Sequence, residues 1–132
     1  MDRLPCQIVS HRIQFKKVTT GLTIMNEIIL TDEFRLWLTK LKNPIAKATI
    51  ARRIKNATKG NFGDHKPLDG ANGIYEMRIA TGAGYRVYYV QQGKVVYVLL
   101  CGGDKSTQKN DIERAKQLFH VLQRGKNEIN EY

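Results

Sequence analysis

GIYEMRIATGAGYRVYYVQQGKVVYVLLCGGDKS, residues 73–106, decides the fold. Tyr75, Met77 and Ile79 alternate with Glu76 and Arg78, the period-two pattern of a half-buried strand over residues 73–81. Gly82-Ala83-Gly84 reads as a turn, because glycine supplies the positive φ that hairpins need. Tyr85 to Gln91, rich in aromatic and β-branched residues, is a second strand. Gln92-Gly93 turns the chain again. Lys94 to Cys101 is a near-continuous apolar run and predicts the most buried strand, which Gly102-Gly103 is expected to end. Arg78 lies on the face opposite Met77 and Ile79, and Arg86 shares a face with Tyr88 and Val90. If the sheet has one core face and one wet face, two guanidinium groups project from neighbouring strands. Lys105 follows the third strand directly. Clustered cations on a rigid sheet make a candidate phosphate site.

The rest of the chain arranges itself around this meander. Glu27 to Thr31 predicts a first strand. Thr31 or Asp32 caps a helix whose apolar stripe is Phe34, Trp37, Leu38 and Leu41, with Asp32 and Glu33 at the positive end of its dipole. Asn43-Pro44 starts a second helix that buries Ala46, Ile50, Ile54 and Ala57 and ends at Lys59-Gly60. The two form a helical hairpin packed on the sheet. Residues 60–73 are loop and deliver His65 and Lys66 beside the meander. Ser106 or Thr107 caps a last helix with Ile112, Ala115, Leu118, Phe119 and Leu122 as its apolar side. Lys105 and Lys109 stand at the start of that helix, against its dipole, which is a functional hint. The fold class is therefore α+β: an antiparallel-rich sheet of one N-terminal strand and a three-stranded meander, flanked by helices, over residues 25–122. Residues 1–24 read as a poorly ordered extension, as an over-long start with Met25 the natural first residue, or as holding a short strand within Gln7–Phe15. Residues 123–132 read as a frayed polar tail.

The chain has 132 residues, enough for one domain with a core. Its net charge is +10, with a pI near 9.8. Charge this lopsided raises self-repulsion and points to an anionic partner, whether nucleic acid, ribosome or acidic protein. Arg52, Arg53 and Lys59 on the second helix are either a solvated face or contacts for a nucleic-acid backbone. No apolar run is long enough to span a bilayer, and the N-terminal residues do not form a secretory signal. Two cysteines, Cys6 and Cys101, make no disulfide framework, so a reducing, cytoplasmic setting is expected.

Several chemistries are absent. The G-x-G of GAGYR joins two strands rather than opening a helix, so it is no dinucleotide fingerprint. Three scattered histidines and two distant cysteines make no metal cluster. Neither a metal nor another cofactor is called for. What remains is a sheet bearing Arg78, Arg86 and Tyr88, approached by His65, Lys66, Lys105 and Lys109. Such a set suits metal-independent cleavage of RNA, in which the 2′-hydroxyl attacks the adjacent phosphate. The reaction needs a base, cations for the phosphate and an acid for the leaving 5′-oxygen. A basic sheet of this kind also suits passive binding of RNA or of an acidic protein segment.

The motifs KPLDGANGIYEMRI (66–79), GAGYRVYYV (82–90) and VLLCGGDKSTQKNDIERA (98–115), with the helical hairpin, resemble the RelE/ParE toxin superfamily of bacterial toxin–antitoxin modules. The branch most resembled is HigB-like, the phage-derived Gp49-like addiction-module killer proteins. The resemblance implies an mRNA-cleaving, ribosome-dependent toxin with mRNA, the ribosome and a helix-turn-helix antitoxin as partners. It assigns Arg86 to the phosphate-contacting arginine, Arg78 to a basic residue of the preceding strand and Lys105 to the basic residue after the last strand. Lys66 falls where some HigB toxins carry a catalytic histidine, and His65 is adjacent. Two positions depart from RelE: no tyrosine stands near Ile112, and Glu76 replaces a lysine. The ParE branch shares the fold but inhibits DNA gyrase, which is the alternative activity.

Overall fold

The structure, a computed structural model, describes the backbone of residues 9–13 and 25–130 and the side chains of 25–125. The elements are β1 (Val9–Ile13), β2 (Glu27–Thr31), α1 (Asp32–Lys40), α2 (Pro44–Thr58), β3 (His65–Pro67), β4 (Ile74–Ile79), β5 (Tyr85–Gln91), β6 (Val96–Asp104) and α3 (Gln108–Asn130). The strands form one mixed sheet in the order β1-β2-β6-β5-β4-β3. β2 runs parallel to β6, and every other neighbouring pair is antiparallel. The four expected strands are thus the centre of an α+β fold. Two short edge strands extend it, β1 inside the expected Gln7–Phe15 window and β3 in the segment read as loop. The remainder of 1–24 lies outside the described residues. α3 continues through Asn130 where a frayed tail was expected, and residues 131–132 lie outside the described residues.

Helix starts follow the capping residues. The Thr31 hydroxyl accepts from the Phe34 N–H (3.0 Å), and Asn43 Oδ1 accepts from the N–H groups of Ile45 and Ala46 (3.0 and 3.1 Å). Asp32 and Glu33 occupy the first turn of α1, and Pro44 opens α2. α1 and α2 lie on one side of the sheet. There Phe34, Ala46, Ile50, Ile54 and Ala57 pack with Ile28, Leu30, Met77, Ile79, Val87, Tyr89 and Leu99. α3 lies on the other side, where Ala115, Leu118 and Leu122 pack with Ile29, Ile74, Tyr88, Val90, Val98, Leu100 and Cys101. The meander therefore has core on both faces, and its α3 side is only partly wet, where Lys66 and Arg78 lie, in place of the open face its alternation suggests. A sheet with both faces covered reads as a continuous apolar run in its central strand, which explains Val98–Cys101.

Two irregularities shape β6. Tyr88 pairs with Cys101 and Tyr89 with Leu99, so Leu100 is an extra residue that breaks the ladder. Its carbonyl accepts a hydrogen bond from Thr31 Oγ1 at 2.7 Å. The strand then continues through Gly102-Gly103, which pair with Val87 and Arg86 instead of ending it. A Cβ on Gly102 would come within 2.5 Å of the Trp37 ring, and one on Gly103 would overlap the Asp111 carboxylate. Missing side chains on opposite faces of one strand let α1 and α3 approach it from both sides.

Thr31 joins both features, since its buried hydroxyl caps α1 and satisfies Leu100. Thr31→Val keeps the shape but loses the cap and orphans a buried carbonyl. Stability is expected to fall by about 2–3 kcal/mol, read as a lower urea midpoint at unchanged slope. A loss below about 0.5 kcal/mol, the scale of an ordinary surface change, would show that neither bond matters.

Candidate phosphate-binding site

Two rungs of the sheet organise the site. In the first, Arg78 faces Arg86, which faces Gly103. In the second, Lys66 faces Glu76, which faces Tyr88, which faces Cys101. Residues opposite each other on neighbouring strands share a face, as do residues two apart on one strand. Lys66, Glu76, Arg78, Arg86 and Tyr88 therefore lie on the α3 side. His65 pairs with Met77 and lies on the other side, its ring 5.8 Å from Phe62 and its Nδ1 2.9 Å from the Gly63 carbonyl oxygen. The structure separates the two neighbours that the sequence left as alternatives.

Like charges directly opposite on adjacent strands repel, and each arginine here has its own acid. Arg78 donates from Nε (3.3 Å) and Nη2 (2.9 Å) to Asp64 Oδ1 in an exposed pair. The Asp64 carboxyl is held below the usual carboxylate range, chiefly by that hydrogen bond and further by the nearby positive charges. Arg86 is mostly covered, with Nε 3.2 Å from Glu76 Oε2 and Nη1 donating to the Gly84 carbonyl at 3.1 Å. The Nε–H is not aligned on the carboxylate, so this contact is an ion pair by distance alone. Glu76 Oε2 also accepts from Gln108 Nε2 (2.8 Å) and from the Tyr88 hydroxyl (3.4 Å). Tyr88, expected on an RNA-binding surface, is instead fully buried beneath α3, and burial together with Glu76 pushes its hydroxyl pKa up.

Gly84 lies beside the remaining cation, Lys105. Its φ of 78° lies in the left-handed region, and a Cβ there would sit 3.7 Å from Arg86 Nη1 and 3.8 Å from Lys105 Cβ. Lys105 opens a 3-10 turn, Lys105–Thr107, that leads into α3. Asp104 caps this turn by accepting from the Ser106 N–H (2.8 Å) and hydroxyl (2.5 Å). Those bonds hold the Asp104 carboxyl low. Lys66, Lys105 and Lys109 are exposed.

The α2 cations stand apart from this face. Arg52 and Lys59 are exposed on the helical layer across the sheet. Arg53 is a structural clamp: Nη1 donates to the Arg78 carbonyl (2.8 Å), and Nη2 to the carbonyls of Phe62 (2.9 Å) and Asp64 (3.2 Å). It ties the loop that carries Asp64 to β4, so its guanidinium is already engaged. Cys101 is a core residue whose thiol burial pushes up to about 12. Among the described residues, no three His, Cys, Asp or Glu side chains gather to hold a metal ion, and no helix is long and apolar enough to cross a membrane.

Glu76, Asp64 and Gln108 are the site residues that reading the sequence did not find. Glu76 stands on the polar side of an alternating strand, and alternation alone does not tell a wet face from a covered one. Its unlikeness to the RelE lysine was the one signal available. Asp64 and Gln108 had none, since each is brought in by loop closure or helix docking.

Comparison with known proteins finds a family and a relative to which the chain is similar. The model of the family described as phage-derived protein Gp49-like matches residues 37–120. An uncharacterized protein of Haemophilus influenzae is 54% identical over 101 residues, covering 76% of this chain and 98% of the relative.

The Arg78–Asp64 pair has a defined pH window. Because the folded pKa of Asp64 is depressed, the pair stabilises the fold fully above the unfolded value of about 3.9. That contribution is lost as pH falls through the lower folded value. A carboxyl ¹³C titration should show Asp64 moving up toward the ordinary aspartate value in Arg78→Ala. An unchanged midpoint would mean that Arg78 does not hold Asp64 in solution.

Proposed function

Since the chain belongs to the phage-derived Gp49-like family, a family associated with addiction-module toxins, we propose that it is the toxin of a toxin–antitoxin pair that cleaves mRNA on the ribosome without a metal. The observation that carries the nuclease reading is the pair of arginines facing each other on β4 and β5, with Lys66 and Lys105 beside them. Arg78, Arg86 and Lys105 hold the phosphate oxygens as charge builds on them, work for which a guanidinium fork is well suited. The 2′-oxygen bonds to phosphorus and its proton goes to water. The bond from phosphorus to the 5′-oxygen breaks, leaving a cyclic 2′,3′-phosphate. Lys66, an ammonium on the same face, hands a proton to the departing 5′-oxygen. His65 lies on the wrong side of the sheet for that transfer.

Arg78 can exchange exposed Asp64 for a phosphate at little cost, because exposed ion pairs contribute little. The positive balance of +10 draws the chain toward ribosomal RNA. Lys109 at the start of α3, and Arg52 and Lys59 on the helical layer across the sheet, are expected to add contacts to the RNA backbone. The family also points to an antitoxin partner, which we expect to be a helix-turn-helix protein.

The test is to induce the chain without an antitoxin and to map RNA 5′ ends and plasmid supercoiling in the same cells. New RNA ends with unchanged supercoiling are expected. Arg86→Ala should lower cleavage by about 10²–10³-fold, the usual effect of removing one transition-state donor, while the protein stays folded. Growth arrest with intact RNA and altered supercoiling would overturn the nuclease reading in favour of gyrase inhibition.

A further inference from the structure

Beneath the cations lies one hidden acid. Glu76 is 1% exposed, and among the described residues it is the only charged side chain in the buried set. Removing a carboxylate from water is costly, and a well-packed apolar residue in its place, with a matching change at its partner, is often at least as stable. Folding alone therefore gives no reason for an acid at this point. Its contacts suggest another. Arg86 Nε, the Tyr88 hydroxyl and Gln108 Nε2 all converge on the same oxygen, Oε2. Arg86 pairs with Arg78, two residues beyond Glu76 on β4, so Glu76 reaches Arg86 diagonally across the strands. The Gly84 carbonyl takes Arg86 Nη1. Nε thus lies at ion-pair distance from Glu76 without an aligned hydrogen bond, Nη1 is bonded to Gly84, and among the described residues Nη2 has no hydrogen-bond partner.

We propose that Glu76 is a positioning residue: its buried carboxylate fixes the Arg86 guanidinium so that Nη2 is left to receive a phosphate oxygen of RNA. Gln108 ties that setting to the first turn of α3, which sits close to β6 because Gly103 has no side chain. Glu76 itself does not touch RNA. It acts only through Arg86. The proposal deepens the nuclease reading and rests on it for its catalytic consequence, whereas the fixing of Arg86 is measurable without RNA.

The experiment compares wild type, Glu76→Gln, Arg86→Ala and the double variant. It records the ¹⁵N NMR signal of Arg86 Nε–Hε, the urea midpoint, and kcat and KM for RNA cleavage on ribosomes. Wild type should show a sharp, slowly exchanging Arg86 signal that broadens or disappears in Glu76→Gln. Misplacing one reacting partner by about an ångström costs on the order of 10²-fold. Glu76→Gln should therefore lose about 10–100-fold in kcat, while KM, set by the remaining cations, changes less than about threefold. The double variant should be no slower than Arg86→Ala. A merely structural Glu76 would instead move the urea midpoint and leave the Arg86 signal in place in the folded protein. An Arg86 signal that survives Glu76→Gln overturns the proposal, whatever the activity. A signal lost in Glu76→Gln, in a wild-type protein that cuts no RNA, supports the positioning and overturns the nuclease reading. Should Glu76→Gln not fold, Glu76→Asp takes its place with the same readouts, since it keeps the charge but shortens the reach.

Discussion

The structure depends on how closely two helices approach one strand. At Gly102 the Trp37 ring of α1 lies where a side chain would be, and at Gly103 the Asp111 carboxylate of α3 does the same from the other face. Interiors are packed tightly enough that a methyl group at Gly102 would press into the Trp37 ring, and one at Gly103 would have to push the Asp111 carboxylate aside. The close approach of α3 does more than complete a core. It brings Gln108 to Glu76 and lowers Tyr88 into a covered layer. The open sheet face suggested by the alternation of β4 and β5 thus becomes a partly buried polar cluster with cations at its rim.

That cluster treats its two arginines differently. Arg78 is paired on the surface, where solvent weakens the attraction and Asp64 can be displaced. Arg86 is paired with a buried carboxylate, where breaking the contact strands a charge in a poorly hydrated place. One arginine is exchangeable and the other is held. Preorganised donors of the second kind need no rearrangement when charge develops on a substrate. Arg53 supports the arrangement from behind, through the carbonyls of Phe62, Asp64 and Arg78.

Much of this fold was legible in the sequence, because local rules fixed it. Thr31 and Asn43-Pro44 capped the helices as their chemistry predicted, and the apolar spacing of α2 named four of its five buried residues, missing only the polar Thr58. The alternation of β4 put Met77 and Ile79 on one side and Arg78 on the other. Period two identifies two faces but does not say whether the polar one is wet, so the burial of Glu76 and Tyr88 was invisible. Gly102-Gly103 looked like a strand end because glycine is rare inside strands unless something packs against it. The extra residue at Leu100 and the engagement of Arg53 depend on partners about seventy and ten to twenty-five residues away, respectively. The cations of the candidate site could be found from type and strand position, and the family resemblance ranked Arg86 among them. Which of His65 and Lys66 shares their face required the register of β3 against β4.

The central claim is that RNA phosphate binds on the face carrying Arg78 and Arg86. Its most direct test is an NMR titration of the wild-type chain with a 2′-O-methyl RNA oligonucleotide, which can bind but has no free 2′-hydroxyl to react. The account predicts saturable shifts of the Arg78 and Arg86 side-chain signals and of Lys66 and Lys105, weakening as salt is raised. Shifts confined to Arg52 and Lys59 on α2, with Arg78 and Arg86 unmoved, would contradict it.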